Sequence, residues 1–164
     1  MAEVPETDML CNASASGRLD EVVVLLETGA DVNGRNIFNR TPLQVAKLGN
    51  TALVETLLEA GADPNVRDPV LNLTVTHDAA RDGFRDTVRV LLDHDADPDL
   101  TDERGNLPLH LAAREGHLQV VQLLIQHTTD PRAVNGQGYS AGELALHHGK
   151  IDIFNFIQEY LSSH

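Results

Sequence analysis

Leu107-Pro108-Leu109-His110-Leu111-Ala112-Ala113-Arg114-Glu115-Gly116-His117 is followed by Leu118, by Val120-Val121 and by Leu123-Leu124-Ile125. Proline fits the first turn of a helix, where its missing N–H costs nothing. Glycine adopts positive φ cheaply and ends one. The stretch therefore reads as two short helices joined by a tight turn. Working outward, the position of His110 recurs at Cys11, Gln44, His77 and Glu143, each step being 33 residues. Two residues later stand Ala13, Ala46, Ala79, Ala112 and Ala145, and the closing glycine falls at Gly17, Gly49, Gly83, Gly116 and Gly149. A register kept over five units identifies a repeat protein.

Each second helix carries apolar residues five and eight positions after its glycine: Val22 and Leu25, Val54 and Leu57, Val88 and Leu91, Val121 and Leu124, Phe154 and Ile157. Residues three apart share a helix face, so this is a stripe to be buried. No single unit can cover it, and the core forms only when units stack. The repeated alanine is expected where first helices of neighbouring units meet. Turn-forming runs such as Asp102-Glu103-Arg104-Gly105-Asn106 and Asn135-Gly136-Gln137-Gly138 read as projecting loops along one edge of a concave surface.

The pattern resembles the ankyrin repeat. It predicts an all-α solenoid of five helix–loop–helix repeats with hairpin-like projecting loops, over about 8–36, 37–68, 69–102, 103–135 and 136–161. The end units depart from it as capping units should, starting from Asp8-Met9-Leu10 and from Ser140-Ala141-Gly142-Glu143. Residues 1–7 are expected to be flexible and 162–164 frayed.

The register slips once. Four residues separate alanine from glycine in repeats one, three, four and five, but only three separate Ala46 from Gly49. The first helix of repeat two is thus predicted to be a single tight turn. The missing residue is regained in the loop Asp68-Pro69-Val70-Leu71-Asn72-Leu73-Thr74.

Composition narrows the function. The formal net charge is −13, against binding nucleic acid or an anionic membrane, both of which need a basic field. No run approaches the length of a membrane span. The acidic start, Met1 to Asp8, lacks the pattern of a secretion signal, so cytoplasm and nucleus are the expected compartments. The single cysteine, Cys11, reads as a small buried apolar residue. The histidines fit no zinc spacing, no phosphate-binding glycine loop is present, and no nucleophile pair has a supporting motif. No enzyme, cofactor or metal site is expected. The chain reads as a monomeric protein-binding module.

Three stretches sharpen this. His77-Asp78-Ala79-Ala80-Arg81-Asp82-Gly83-Phe84-Arg85-Asp86-Thr87 resembles the third-repeat signature of the ankyrin inhibitors of D-type-cyclin-dependent kinases. Arg40-Thr41-Pro42-Leu43-Gln44-Val45-Ala46-Lys47-Leu48-Gly49-Asn50 is similar to that family's second repeat, whose first helix is also one turn long, and Gly105 to Ala113 resembles its fourth. The resemblance spans roughly residues 8–161 and implies a kinase catalytic subunit as partner, bound beside its cleft. It implies contacts from Asp78 first, as a carboxylate for an arginine of the kinase amino-terminal lobe. Arg81 and Asp68 follow, then His77, Asp20, Val45, Lys47, Phe84 and Asp86. His77 and His110 also occupy the position where ankyrin histidines bond neighbouring loops. Ala46 stands where the family often has methionine, Asn39 replaces a usual loop glycine, and Asp82 and Arg85 alter the charge of the signature. An ankyrin scaffold with another protein partner, or a variant that folds but does not inhibit, remain alternatives, because a fold hosts many functions.

Overall fold

The structure is a computed structural model, described for residues 5–164. Ten helices follow in order: α1 Glu6–Ala15, α2 Leu19–Glu27, α3 Pro42–Val45, α4 Thr51–Glu59, α5 Val75–Asp82, α6 Arg85–Asp93, α7 Pro108–Glu115, α8 Leu118–Ile125, α9 Ala141–His147 and α10 Ile151–Ser163. They form two rows. Odd-numbered helices pack as α1 on α3 and as α5 on α7 on α9, while α2, α4, α6, α8 and α10 pack in succession. This is the five-repeat solenoid that the 33-residue register predicts.

One core runs through all five units. The alanines at the first-helix contacts are all buried, with Ala79, Ala112 and Ala145 wholly inaccessible. The second-helix stripe is buried as expected from Val22 to Leu124. In α10 the pattern shifts: Ile153 and Ile157 are inaccessible and Phe154 is half-buried.

The first and last helices begin and end outside the repeat limits 8–161. Residues 1–4 lie outside the described residues, but Glu6 and Thr7, expected to be flexible, are helical. Pro5 starts α1, its carbonyl accepting from Met9 N–H at 3.0 Å, and the acidic Glu6 and Asp8 suit the positive end of the helix dipole. At the other end α10 continues through Ser162 and Ser163. Ser162 Oγ donates to the Glu159 carbonyl at 2.9 Å, Arg132 donates to the Leu161 carbonyl at 2.6 Å, and the His164 ring stacks on Tyr160 with centroids 4.2 Å apart.

The projecting loops are tight turns, each closed across its base by a backbone bond: Asn36 N–H to Arg40 O at 2.9 Å, Asp68 to Leu73 at 2.9 Å, Asp102 to Asn106 at 3.0 Å and Asn135 to Tyr139 at 2.8 Å. Among the described residues the only extended pairing is a bridge between Val134 and Ser140. The left-handed position of these turns is held by Asn39, Asn72, Gly105 and Gly138, with φ of 61°, 61°, 78° and 86°. Asparagine tolerates this region better than most side chains. Replacing the usual loop glycine by Asn39 therefore preserves the turn.

Side chains staple each repeat to the next. Asn33 receives Asp63 N–H at 2.8 Å and donates to Gly61 O at 2.9 Å; Asn65 does the same with Asp97 and Asp95, at 2.8 and 3.2 Å. Asp99 accepts from Thr129 N–H at 2.9 Å. His77 and His110 form a second line of staples. Each Nδ1 accepts a backbone N–H at the start of its own helix, Thr74 at 3.2 Å and Leu107 at 2.9 Å, which leaves Nε2–H to donate across the stack. His77 reaches Asn106 O at 2.8 Å and His110 reaches Ala133 O at 3.0 Å.

Candidate functional site: a notch between repeats two and three

The register slip has a structural outcome. Helix α3 is four residues long, and Ala46 leaves the helical region at φ −57°, ψ 149°. Thr41 caps the turn, and Gln44 returns the bond by accepting Thr41 N–H at 2.9 Å. The carbonyl of Leu48, in the segment joining α3 to α4, accepts a 2.6 Å bond from Thr87 Oγ1 on α6, and Thr87 also meets Thr51 at 3.0 Å. Gly49, unlike the glycines closing the other first helices, has no positive φ. Its lack of a side chain serves packing: the Phe84 ring lies 3.4 Å from where a Cβ would stand.

So short a helix makes little direct contact with α5, and a notch of about 230 Å³ opens between them. Arg40, Gln44, Val45, Asp68, Leu73, Val75 and Asp78 line it. Three of the residues implied by resemblance, Val45, Asp68 and Asp78, thus converge from α3, the second projecting loop and α5.

The two notch carboxylates differ in character. Burial pushes Asp68 upward, but the N–H groups of Leu71, Val70 and Leu73 and the guanidinium of Arg40 outweigh it and hold its carboxyl below the usual range. Those bonds are 2.7 Å from Leu71 and 2.8 Å from Val70, and Arg40 Nη1 is 3.8 Å away. Asp78 goes the other way. Burial raises its carboxyl above the usual range; Arg81 opposes this, while Asp68 and Asp82 add to it. Arg81 lies 3.1 Å from Asp78 but is shared with Asp82 at 3.2 Å, and the same two carboxylates hold its guanidinium more firmly protonated than usual. The result is a half-buried carboxylate whose charge its own protein compensates incompletely. A cation arriving from outside would complete it.

The remaining implied residues lie elsewhere. His77 is wholly inaccessible in the unbound stack, and both its ring nitrogens are used inside it. Burial also depresses its basicity and keeps it neutral, as it does for His110. Phe84 and Asp86 line a separate open groove along the second-helix row with Thr51, Gln119 and Gln122. Lys47 donates its N–H to Ser14 O at 3.0 Å and lays its stem over Gly17, and Asp20 is exposed in the first turn of α2. Neither lines the notch. Cys11 is buried as expected, its thiol pushed up to about 11 by burial and by Asp8. Arg40, Gln44, Leu73 and Val75 are notch residues that spacing does not single out; Arg40 meets Asp68 only because two loops fold side by side.

A family model described as ankyrin repeats, in three copies, matches residues 3–68 and 73–163. The human cyclin-dependent kinase inhibitor 2A is 45% identical over 107 residues, covering 65% of this chain and 69% of that protein. The human cyclin-dependent kinase 4 inhibitor B is 45% identical over 102 residues, covering 62% and 74%. The chain belongs to the ankyrin-repeat family of cyclin-dependent kinase inhibitors. A putative ankyrin protein of fowlpox virus is 36% identical over 105 residues but is matched over only 31% of its length, a likeness of repeat rather than of whole molecule. Family membership fits the single-turn α3, the feature that separates this stack from a generic ankyrin array.

Proposed function

We propose that this protein inhibits a D-type-cyclin-dependent kinase by docking its notch and concave face on the catalytic subunit, beside the catalytic cleft. The observation that carries the reading is the convergence of Asp78, Asp68 and Val45 in the notch made by the register slip. Asp78 would receive an arginine of the kinase amino-terminal lobe, a charge-assisted pair whose partner is already desolvated. Bound to both lobes, the stack would rotate one against the other and spoil the nucleotide site and cyclin surface. Phosphoryl transfer depends almost wholly on positioning, so a small rotation is enough. Block of retinoblastoma-protein phosphorylation and residence in cytoplasm and nucleus belong to the same reading, and no catalytic step is assigned to the chain itself.

Titrating the purified protein into a D-type-cyclin kinase assay with a retinoblastoma substrate tests it. Inhibition supports the proposal. Binding without inhibition indicates a scaffold, and absence of binding removes the kinase as partner. In calorimetry, Asp78→Ala should weaken kinase binding by about 2–5 kcal/mol if the pair is buried in the complex. Unchanged affinity in a variant with native circular dichroism removes Asp78 from the interface.

A further inference from the structure

Next to the acidic notch lies a second recess of different character. It holds about 170 Å³ and is lined by Leu71, Leu73 and Leu111, by Arg81, Arg104 and Arg114, and by Asp102, Glu103 and Asn106. Leu71 is 45% exposed at the tip of the second projecting loop and forms one wall of the recess. The backbone ties this tip to its neighbour, Glu103 N–H donating to Leu71 O at 2.9 Å.

The charges of the recess are unequal in availability. Asp102 accepts the N–H groups of Arg104 and Asn106 at 2.9 and 2.8 Å, which engages one of its oxygens inside its own loop. Glu103 is exposed on the loop. Arg114 is 3.1 Å from Glu115, and Arg81 is shared between Asp78 and Asp82. Arg104 makes no ion pair among the described residues and is exposed. In a chain with 12 basic residues against 25 acidic ones, three arginines around one apolar floor form a local exception.

We propose that this recess is a second docking subsite, which takes a large apolar side chain flanked by a carboxylate from the same partner whose cation enters the notch. The inference rests on the kinase reading above. Arg81 lines this recess and pairs with Asp78 in the notch, so the two subsites are continuous and opposite in sign. A partner must then present a basic group followed by an acidic-flanked apolar one, and a reversed order would put like charges together. Such an arrangement selects partners and orientation more than it adds affinity.

The test uses the full chain and the cyclin-dependent kinase catalytic subunit, measured by calorimetry and by association rates at two salt concentrations. Arg104→Glu and Leu71→Ser change exposed side chains, so urea denaturation should match the parent. Each should weaken binding by about tenfold, and Arg104→Glu should also alter the salt dependence of association. Asp78→Ala serves as the separate probe of the notch. If Asp78→Ala loses binding while Arg104→Glu and Leu71→Ser bind as the parent does, the second subsite is wrong and the kinase reading stands. If the unmodified chain does not bind, both fall.

Discussion

The Asp78 carboxylate and the Arg81 guanidinium lie 3.1 Å apart, one turn along the same helix, yet Asp78 holds its proton more tightly than a free aspartate. Burial outweighs the pair because Arg81 divides its charge with Asp82 and because Asp68 faces the same notch. A folded-state affinity for protons above the unfolded one means that stability rises as pH falls through the folded value. The ionised group is therefore a cost to the stack at neutral pH. Asp78→Asn should leave stability unchanged or slightly raised at pH 7, with the difference from the parent shrinking toward pH 4. Urea denaturation at both values checks this, and a loss above about 1 kcal/mol at pH 7 would show the Arg81 pair to be a net stabiliser. The same substitution should weaken kinase binding, so that stability and binding separate at one residue.

His77 and Gln44 occupy one repeat position with different reach. Both accept the N–H that starts their helix, but Gln44 Nε2 has no acceptor while His77 Nε2 reaches Asn106 O at 2.8 Å. His77→Gln should keep the cap and lose the staple, at a cost of roughly 1–2 kcal/mol at pH 7.5. The histidine is held neutral by burial, with its basicity depressed. Its contribution is present above the unfolded value of about 6.5 and declines as pH falls below that, because the unfolded chain takes up a proton the fold refuses. The gap between parent and variant should thus narrow from pH 7.5 to pH 5.5 in chemical denaturation. A constant gap would mean that the ring protonates in place.

The stacking of repeats was legible because ankyrin units bury the same residue types at the same offsets, and Ala79, Ala112 and Val121 stand where counting puts them. The short α3 was legible as a single absent residue between Ala46 and Gly49. What counting could not reach depends on side chains meeting across repeats. Arg40 meets Asp68 across 28 residues, and Phe84 fills the space that Gly49 leaves. His77 sits in a run that resembles a binding signature, and spacing alone does not distinguish a residue that holds a surface from one that forms it. At the ends, the first and last helices extend beyond the expected limits with bonds made by Pro5, Arg132 and Tyr160, which leave no periodic trace.

Thr87 is a buried polar residue bonded next to the short helix. It is inaccessible and donates to Leu48 O at 2.6 Å, a carbonyl of the segment that joins α3 to α4. Thr87→Val keeps the shape and strands that carbonyl, which should cost about 1–3 kcal/mol. Thr87→Ser keeps the hydroxyl and should recover most of the loss, the remainder reflecting the missing methyl group. Thermal or urea denaturation of the pair checks this; equal stability of the valine and serine variants would show that the bond does not matter.

The notch also sets where the stack opens first. Repeat stability is a sum of intrinsic and nearest-neighbour contributions, so the weakest interface divides the array. The odd-numbered row packs continuously from α5 through α9, but α3 offers α5 little surface, and repeats two and three are held chiefly by α4 on α6, with Thr87 bonded to Leu48 and Asn65 to Asp95 and Asp97. Amides of α1 to α4 should exchange with solvent faster than those of α5 to α8, in one cooperative step at low urea that spares the rest. Docking a kinase across the notch would bridge the two halves and slow exchange in α1 to α4 more than elsewhere. Native-state hydrogen exchange with and without the kinase subunit measures both effects. Equal protection of α4 and α7 in the free protein would show that the short helix does not weaken the junction, and that the second-helix row alone carries the coupling between repeats.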